Sequence, residues 1–358
     1  MKHLLVDISA HGYGHIAQTA PVVNLLAERV RGLRVTVRSA ASTDYLRQRF
    51  TCDFRHEKVA LDFGMSMLDA VRVDVPRSLA AYRHYHADWP GKVAAAAGVM
   101  RDLHPDLLLA NVPYLSLAAA QATGIPAVAM CCLNWADIYR HYAPDDAASR
   151  TIHAQMLAAY GSAQAFLRVM PAMPMPDLHN TREIACIAQP AHADRARLRA
   201  VCGATQGERL VLVAMGGFDY RPPANWPRIP GVRWVLPQAW GMRREDVVAL
   251  EETGMLFRDV LASCDAVLTK PGYGTFAEAA CSGVPVLYVP RGDWPEVPYL
   301  ADWLGRNGMA LEVAEAALGT DAMGVALQRL WGQPRPPLPA ARGAAEVAEH
   351  LGKLLTLG

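Results

Sequence analysis

The sequence predicts an α/β protein built as two doubly wound, parallel-sheet halves, and three observations carry that expectation. The chain has 358 residues, 52% of them apolar, more than one ordinary core absorbs, so two domains are the natural division. Short apolar runs alternate with stretches of helical period in both halves, as in parallel sheets covered by helices on both faces. One proline-rich stretch, Met170-Pro171-Ala172-Met173-Pro174-Met175-Pro176, breaks the alternation, and proline's fixed φ and missing donor suit a stiff connector. The expected boundaries are an N-terminal domain over 1–170, a linker over 171–190 and a C-terminal domain over 191–338. A last helix over 339–358 is expected to pack back on the N-terminal domain.

The elements follow in order. Leu4-Leu5-Val6-Asp7-Ile8 is a strand that runs into the glycine-rich loop Ala10-His11-Gly12-Tyr13-Gly14-His15. Ile16, Ala20, Val23, Leu26 and Val30 then recur at helical spacing, and Pro21 predicts a regular start near Thr19. The unit repeats as the strand Asp106–Ala110, a helix over Leu115–Thr123 stopped by Gly124, and the strand Ile125–Met130. Beyond the prolines come the strand Leu210–Met215 leading into Gly216-Gly217, then Val232–Leu236, Ala266–Thr269 and Gly283–Pro290. Helices are predicted over Val297–Arg306, with Gly308 as stop, and Ala340–Leu355.

Composition narrows the partners. Lys plus Arg total 35 against 34 Asp plus Glu, a net charge of +1, which gives no electrostatic footprint for nucleic acid or an anionic membrane. Seven scattered cysteines, odd in number and without a C-x-x-C, read as buried, reduced thiols. No apolar run approaches 18 residues, and the opening Met1-Lys2-His3-Leu4-Leu5-Val6 turns polar too soon for a signal-peptide core, so a cytoplasmic protein without a transmembrane segment is expected. The twelve histidines form no H-E-x-x-H and no cysteine–histidine zinc pattern, and neither a metal nor a cofactor is expected.

The chemistry concentrates in Leu268-Thr269-Lys270-Pro271-Gly272-Tyr273-Gly274-Thr275-Phe276-Ala277-Glu278. A strand ends, glycines turn the chain, and a helix is predicted from about Thr275. Amides and the positive dipole end at such a start favour a diphosphate, with Lys270 and the Thr275 hydroxyl adding charge-assisted bonds. For an isolated Gly-x-Gly the purely structural reading would win. Here the match extends from Ser263-Cys264-Asp265 through Gly283-Val284-Pro285 to Pro290, and it resembles throughout the C-terminal domains of GT-B glycosyltransferases of families 28 and 1. These include the lipid-linked N-acetylglucosaminyltransferase of peptidoglycan synthesis, glycolipid glycosyltransferases and, above all, the N-terminal domain of arabinokinase-like proteins. Their Glu-x-Pro-Tyr/Phe-Leu pattern is echoed by Glu296-Val297-Pro298-Tyr299-Leu300, and the arabinokinase-like likeness also touches Asp69 to Tyr85.

The resemblance implies two Rossmann-like domains facing across a cleft. By its pattern Glu278 accepts hydrogen bonds from the donor ribose, where the plain alternative is a solvated helix glutamate. Asp293 and Glu296 fall where the family contacts the donor sugar. Leu256 and Phe257, in Met255-Leu256-Phe257-Arg258-Asp259, resemble the end of a base-reading strand, although Phe257 fits a core equally well. Gly216-Gly217-Phe218 matches a second phosphate-side loop but lacks the small hydroxyl residue often found there.

In the first domain, His11-Gly12-Tyr13-Gly14-His15 resembles the family's loop whose last histidine is the catalytic base of inverting members. An imidazole of ordinary pKa near 6.5 suits proton abstraction from a hydroxyl. Helix capping is the structural alternative for His15, and loop structure or a sugar contact the reading for His11. Many relatives carry an aspartate where this chain has Asn111, so an orienting carboxylate is not evident, and Asp7 and Asp137 are the substitutes to test. The resemblance thus implies transfer of a sugar, hexosyl in type, from a nucleoside diphosphate donor, UDP above all, to an acceptor hydroxyl, without metal and with inversion. A sugar-nucleotide epimerase and a non-catalytic binding module are the competing readings.

Overall fold

The apolar runs form strands that pair in parallel throughout two sheets. The structure is a computed structural model and describes residues 1–216 and 220–357. Contacts divide the chain into unit 1 (Met1–Leu68, Val73–Ile187, Ala341–Gly358) and unit 2 (Asp69–Arg72, Ala188–Ala340).

Unit 1 opens with β1 (His3–Ile8), α1 (Gly14–Arg29), β2 (Arg34–Ser39), α2 (Thr43–Arg49) and β3 (Arg55–Lys58). It continues with α3 (Val75–His86), α4 (Trp89–Leu103), β4 (Leu107–Asn111), α5 (Tyr114–Thr123) and β5 (Ala127–Cys131). The helices α6 (Trp135–Tyr142) and α7 (Ala147–Gly161) precede β6 (Ala165–Val169) and β7 (Thr181–Ile184). The sheet order is β3-β2-β1-β4-β5-β6-β7. β1, β4 and β5 are buried at every position, which is why they read as unbroken apolar runs.

Two local expectations change. First, α1 starts at Gly14 rather than near Thr19, with Pro21 inside it. An interior proline costs about 3 kcal/mol, but Ile16, Val22, Val23 and Leu26 are all at most 1% exposed, and burying each returns about 1.5–3 kcal/mol. Packing wins, and His15 falls in the first helical turn. Second, the stretch expected as a linker contributes β7, and Met173 and Met175 within it are buried. Asn180 secures the approach to β7 by donating from Nδ2 to the carbonyls of Tyr160 (3.0 Å) and Ala163 (2.9 Å).

Unit 2 holds α8 (Arg195–Val201), β8 (Arg209–Ala214), β9 (Val232–Leu236), β10 (Val247–Ala249) and α9 (Phe257–Ser263). Then come β11 (Ala266–Thr269), α10 (Tyr273–Cys281), β12 (Val286–Tyr288), α11 (Val297–Asn307), β13 (Ala310–Glu312) and α12 (Ala322–Trp331). Its order is β10-β9-β8-β11-β12-β13, around a core that includes Val211, Trp234, Leu268, Leu287 and Leu327. The last helix, α13 (Gly343–Leu357), belongs to unit 1. Its Val347, Ala348 and Leu351 are buried, Glu346 accepts from the Ala185 amide (3.0 Å), and the carbonyl of Ala345 accepts from Arg29 of α1 (3.3 Å).

Each sheet reverses its winding once, between β1 and β4 in unit 1 and between β8 and β11 in unit 2. At such a point the loops leaving two neighbouring strands diverge to opposite faces and open a crevice at their carboxyl ends, where open α/β sheets bind ligands. The His11–His15 loop leaves β1 beside Asn111, the last residue of β4, with Ile8 and Asn111 in register. The Lys270–Thr275 loop leaves β11 beside Gly216, just past β8, with Thr269 and Ala214 in register. Both glycine-rich motifs therefore sit on switch points.

Among the described residues no helix is long and apolar enough to cross a membrane. All seven cysteines are unbridged, and five are buried as expected; Cys52, in the turn between α2 and β3, and Cys281, the last residue of α10, are partly exposed because they sit at element ends.

Candidate functional site

In unit 1 the centre is His15, 5% exposed. Asn111 Oδ1 lies 2.9 Å from His15 Nδ1. The amide cannot turn freely, because Asn111 Nδ2 donates to Gln18 Oε1 (3.2 Å) and Gln18 Nε2 donates in turn to Cys132 Sγ (2.9 Å). This relay presents an acceptor to the ring, so Nδ1 carries hydrogen and Nε2 is left as the basic nitrogen. No side chain among the described residues takes Nε2. Cys131 Sγ is the other neighbour of Nδ1, at 3.6 Å.

The proposed carboxylate substitutes are engaged elsewhere. Asp7 is fully buried in a two-point ion pair with Arg38, and Asp137 closes the start of α6 with Asn134. A carboxylate that sequence reasoning missed, Asp62, lies close enough to act on His15 through space but does not bond its ring. Asp62, 7% exposed, accepts from Ser9 Oγ (2.8 Å), the Ala10 amide (3.0 Å) and Trp135 Nε1 (2.9 Å). Burial raises its pKa, opposed by Ser9 and by the nearby His15. Asp62 sits in a turn without periodicity, and its one sequence signal is an acid inside the otherwise apolar Leu61-Asp62-Phe63-Gly64.

His11 is also buried, its ring edge-on to Trp135 at 5.1 Å, and its Nδ1 accepts from the Met65 amide at 3.5 Å. Gly64 makes this packing possible: at φ +59°, a Cβ there would stand 2.6 Å from Trp135 Cη2. Gly12 and Gly14 frame the turn into α1, where the Gly12 amide bonds to the Ala10 carbonyl at 3.0 Å.

In unit 2, α10 starts at Tyr273 with Gly272 as its cap, two residues earlier than the expected Thr275. The Phe276 amide makes the first helical bond, to the Gly272 carbonyl (3.1 Å), and the cap residue Gly272 has no side chain of its own to offer the turn. The chain enters through Gly272 in an ordinary extended conformation and turns at once, which moves the helix start back. The Lys270 side chain runs between the two switch-point loops. A Cβ on Gly216, which has φ +83°, would meet Lys270 Nζ at 3.4 Å, and one on Gly272 would meet it at 3.9 Å. Burial and the Arg291 guanidinium push Lys270 down to about 7, with Glu296 pulling the other way.

The remaining positions spread around this loop. Glu278 is 3% exposed on α10, so it is not a solvated glutamate. Glu296 is buried and accepts from Trp294 Nε1 (3.1 Å), Arg291 stacks on the same indole at 3.8 Å, and Asp293 is exposed. Leu256 and Phe257 do not end a strand: Leu256 caps α9 and Phe257 is its first residue, both half-buried. Gly217 lies outside the described residues.

Two surface cavities of about 280 and 300 Å³ lie in unit 2, and neither takes in the Lys270–Thr275 loop. Asp137, His153 and Asp177 bring one metal-ligand type of atom each within 4.8 Å of one another. Asp177 is exposed, Asp137 is committed to Asn134, and His153 is buried on α7.

Two parallel, doubly wound α/β units in one chain define the GT-B fold, and solved glycosyltransferases share it across their full length. The glycotransferase of kitacinnamycin aligns with a TM-score of 0.61 at 16% identity, covering 99% of this chain and 95% of that one. SnogD of Streptomyces nogalater gives 0.58 at 18% identity over 100% of both chains, and Arabidopsis thaliana UGT89C1, solved with UDP, gives 0.60 at 14% over 99% and 100%. At these identities the likeness establishes the fold. In sequence, the L-arabinokinase of Arabidopsis thaliana is 26% identical over 320 residues, which is 85% of this chain and 30% of that protein. The chain thus spans under a third of that relative's length. No family model matches.

Proposed function

We propose that the protein transfers a sugar from a nucleoside diphosphate donor to an acceptor hydroxyl. The observation that carries this reading is the pair of basic side chains at the second switch point, where Lys270 lies between Gly216 and Gly272 with Arg291 close by. Two neighbouring basic side chains beside the positive end of a helix favour a bound anion. UGT89C1 was solved with UDP and the glycosyltransferase VinC with dTDP, which supports a nucleoside diphosphate there, with UDP the first choice.

In this reading unit 2 binds the donor. The amides of the Gly272–Thr275 turn and Lys270 meet the diphosphate charge, and Glu278 takes the ribose hydroxyls. Leu256 and Phe257 border the base, and Asp293 and Glu296 serve the sugar. His15 Nε2 removes the proton of the acceptor hydroxyl, the oxygen attacks the anomeric carbon, and the nucleoside diphosphate leaves with the bond pair. The amides and Lys270 stand where other transferases use a cation, so transfer is metal-independent. Direct attack from the base side inverts the anomeric centre, and the donor is a hexosyl nucleotide. A cytoplasmic setting fits the unbridged cysteines.

The test is a thermal-shift panel of UDP-, dTDP-, GDP- and ADP-sugars. A ligand at 100 times its Kd adds about 2.7 kcal/mol. The expected result is a raised Tm with at least one donor, reduced in Lys270→Met and kept in His15→Ala; no shift with any of them sinks the proposal. The likeness to part of an L-arabinokinase favours one second reading, a sugar-nucleotide-binding module, which predicts the same shift with no turnover of donor.

Lys270 also sets a pH dependence. Its free pKa near 7 means that the lysine is charged below that pH and loses its proton above it. Affinity for a sugar nucleotide, whose diphosphate diester does not titrate in this range, is expected to fall as pH rises through 7, by up to about tenfold per unit until the pKa of the liganded lysine is reached. Isothermal titration between pH 6 and about 9 reads this, and Lys270→Met is expected to flatten the curve.

A further inference from the structure

We infer that Cys131 is the acidic partner of His15, a thiol standing where position 111 supplies only an amide. Cys131 is the last residue of β5 and fully buried. Three donors converge on its sulfur: His15 Nδ1–H at 3.6 Å, the Cys132 thiol and the Leu133 amide. Such a ring of donors suits a thiolate, because sulfur accepts hydrogen bonds weakly as a thiol and strongly as an anion. The same sulfur then offers the imidazolium a full negative charge, which the Asn111 carbonyl oxygen cannot.

The other ionisable groups around the ring do not replace it. Asp62 reaches His15 through space, with its oxygens committed to Ser9, Ala10 and Trp135. His11 packs edge-on against Trp135, Tyr160 of α7 bonds the Val112 carbonyl, and Cys132 is held by Gln18. Burial opposes charge on His15, yet Cys131, Asn111 and Asp62 together lift it to about 9, while burial's upward push on Cys131 is outweighed by Cys132, His15 and Leu133, which bring it down to about 6.

The inference rests on the reading of His15 as base, and it gives that base a proton balance. Between the two pKa values the pair is thiolate–imidazolium. Loss of the Nε2 proton yields thiolate–imidazole, which is the form that accepts the acceptor's proton and returns to thiolate–imidazolium. The thiolate keeps its charge throughout, so Cys131 acts as a positioning residue through His15. At pH 7 a base of pKa about 9 is free in about 1% of molecules, and kcat/KM for the acceptor, measured at saturating donor so that Lys270 does not enter, is expected to rise with pH toward 9.

The test follows the His15 ring resonance by NMR in the intact protein, assigned by its loss in His15→Gln. The expected midpoint is about 9, falling by roughly two units or more in Cys131→Ala, where burial is left to dominate. Cys131→Ser keeps the volume without an ionising sulfur and serves if the alanine variant folds poorly. The ultraviolet thiolate band is expected to appear near pH 6 in the parent and to be lost in both variants. An unchanged His15 midpoint in Cys131→Ser, or a parent midpoint near the ordinary 6.5, overturns the inference. A shifted midpoint with an unshifted kcat/KM profile upholds the pair and instead removes His15 as the base.

Discussion

His15→Ala is expected to lower kcat/KM for transfer by about 10²- to 10⁴-fold, or roughly 3–5 kcal/mol of barrier, while donor binding to unit 2 stays within about twofold. The reason lies in the relay from Cys132 through Gln18 and Asn111, which hands the ring an acceptor and so reserves Nε2 for the incoming proton. No neighbouring group is arranged to replace that nitrogen: Asp7 is locked to Arg38, and Asp62 holds three donors of its own. The measurement is steady-state transfer, or the slower hydrolysis of the donor where the acceptor is still unidentified. Parent-like turnover in a folded His15→Ala protein assigns the proton transfer to another group.

Asp62→Ala is expected to destabilise unit 1 by about 3–5 kcal/mol, the largest effect on stability of any single change proposed. It strands the Ser9 hydroxyl, the Ala10 amide and the Trp135 indole N–H, each buried donor costing about 1–3 kcal/mol when unmet. It also removes a negative charge that favours the His15 imidazolium. Asp62→Asn is the milder comparison. Its oxygen still serves Ser9 and Ala10, but its amide N–H faces the Trp135 N–H, donor against donor, so roughly a third to a half of the loss is expected. Urea unfolding of both variants checks the order. Equal stability of Asp62→Ala and the parent would mean that water replaces the carboxylate.

Much of the architecture was legible because it rests on burial that sequence displays. Val232–Leu236 and Ala266–Thr269 are strands with the boundaries read from the apolar runs, since a strand covered on both faces has no polar side to obscure its ends. The switch-point loops were legible as glycine motifs after strands. Asn111 was singled out through the resemblance, as the residue standing where many relatives carry an aspartate, and it does lie against His15.

What escaped shares one physical cause. Asp62 and Cys131 acquire their surroundings only when β1, β4, β5 and the turn after β3 are brought together, and no local period records that meeting. Cys131 is a buried thiol, as read, but its donors come from α1 and from the chain just past β5. The starts of α1 and α10 were set too late because proline and glycine were weighed by local propensity, whereas sheet packing around α1 and the extended entry at Gly272 decide the ends.

The return of α13 to unit 1 bears on how a nascent chain acquires its structure. Val22, Val23 and Leu26 of α1 are buried in the finished protein, and Gly352 of α13 approaches Leu26 so closely that a Cβ there would stand 3.8 Å away. During synthesis every strand of both sheets emerges before α13 does. All strands of unit 2 are therefore available before that flank of α1 gains its covering helix, leaving an apolar stripe for a chaperone or a neighbouring nascent chain to meet. Late docking of α13 makes unit 1, the earlier half to be translated, the later half to mature.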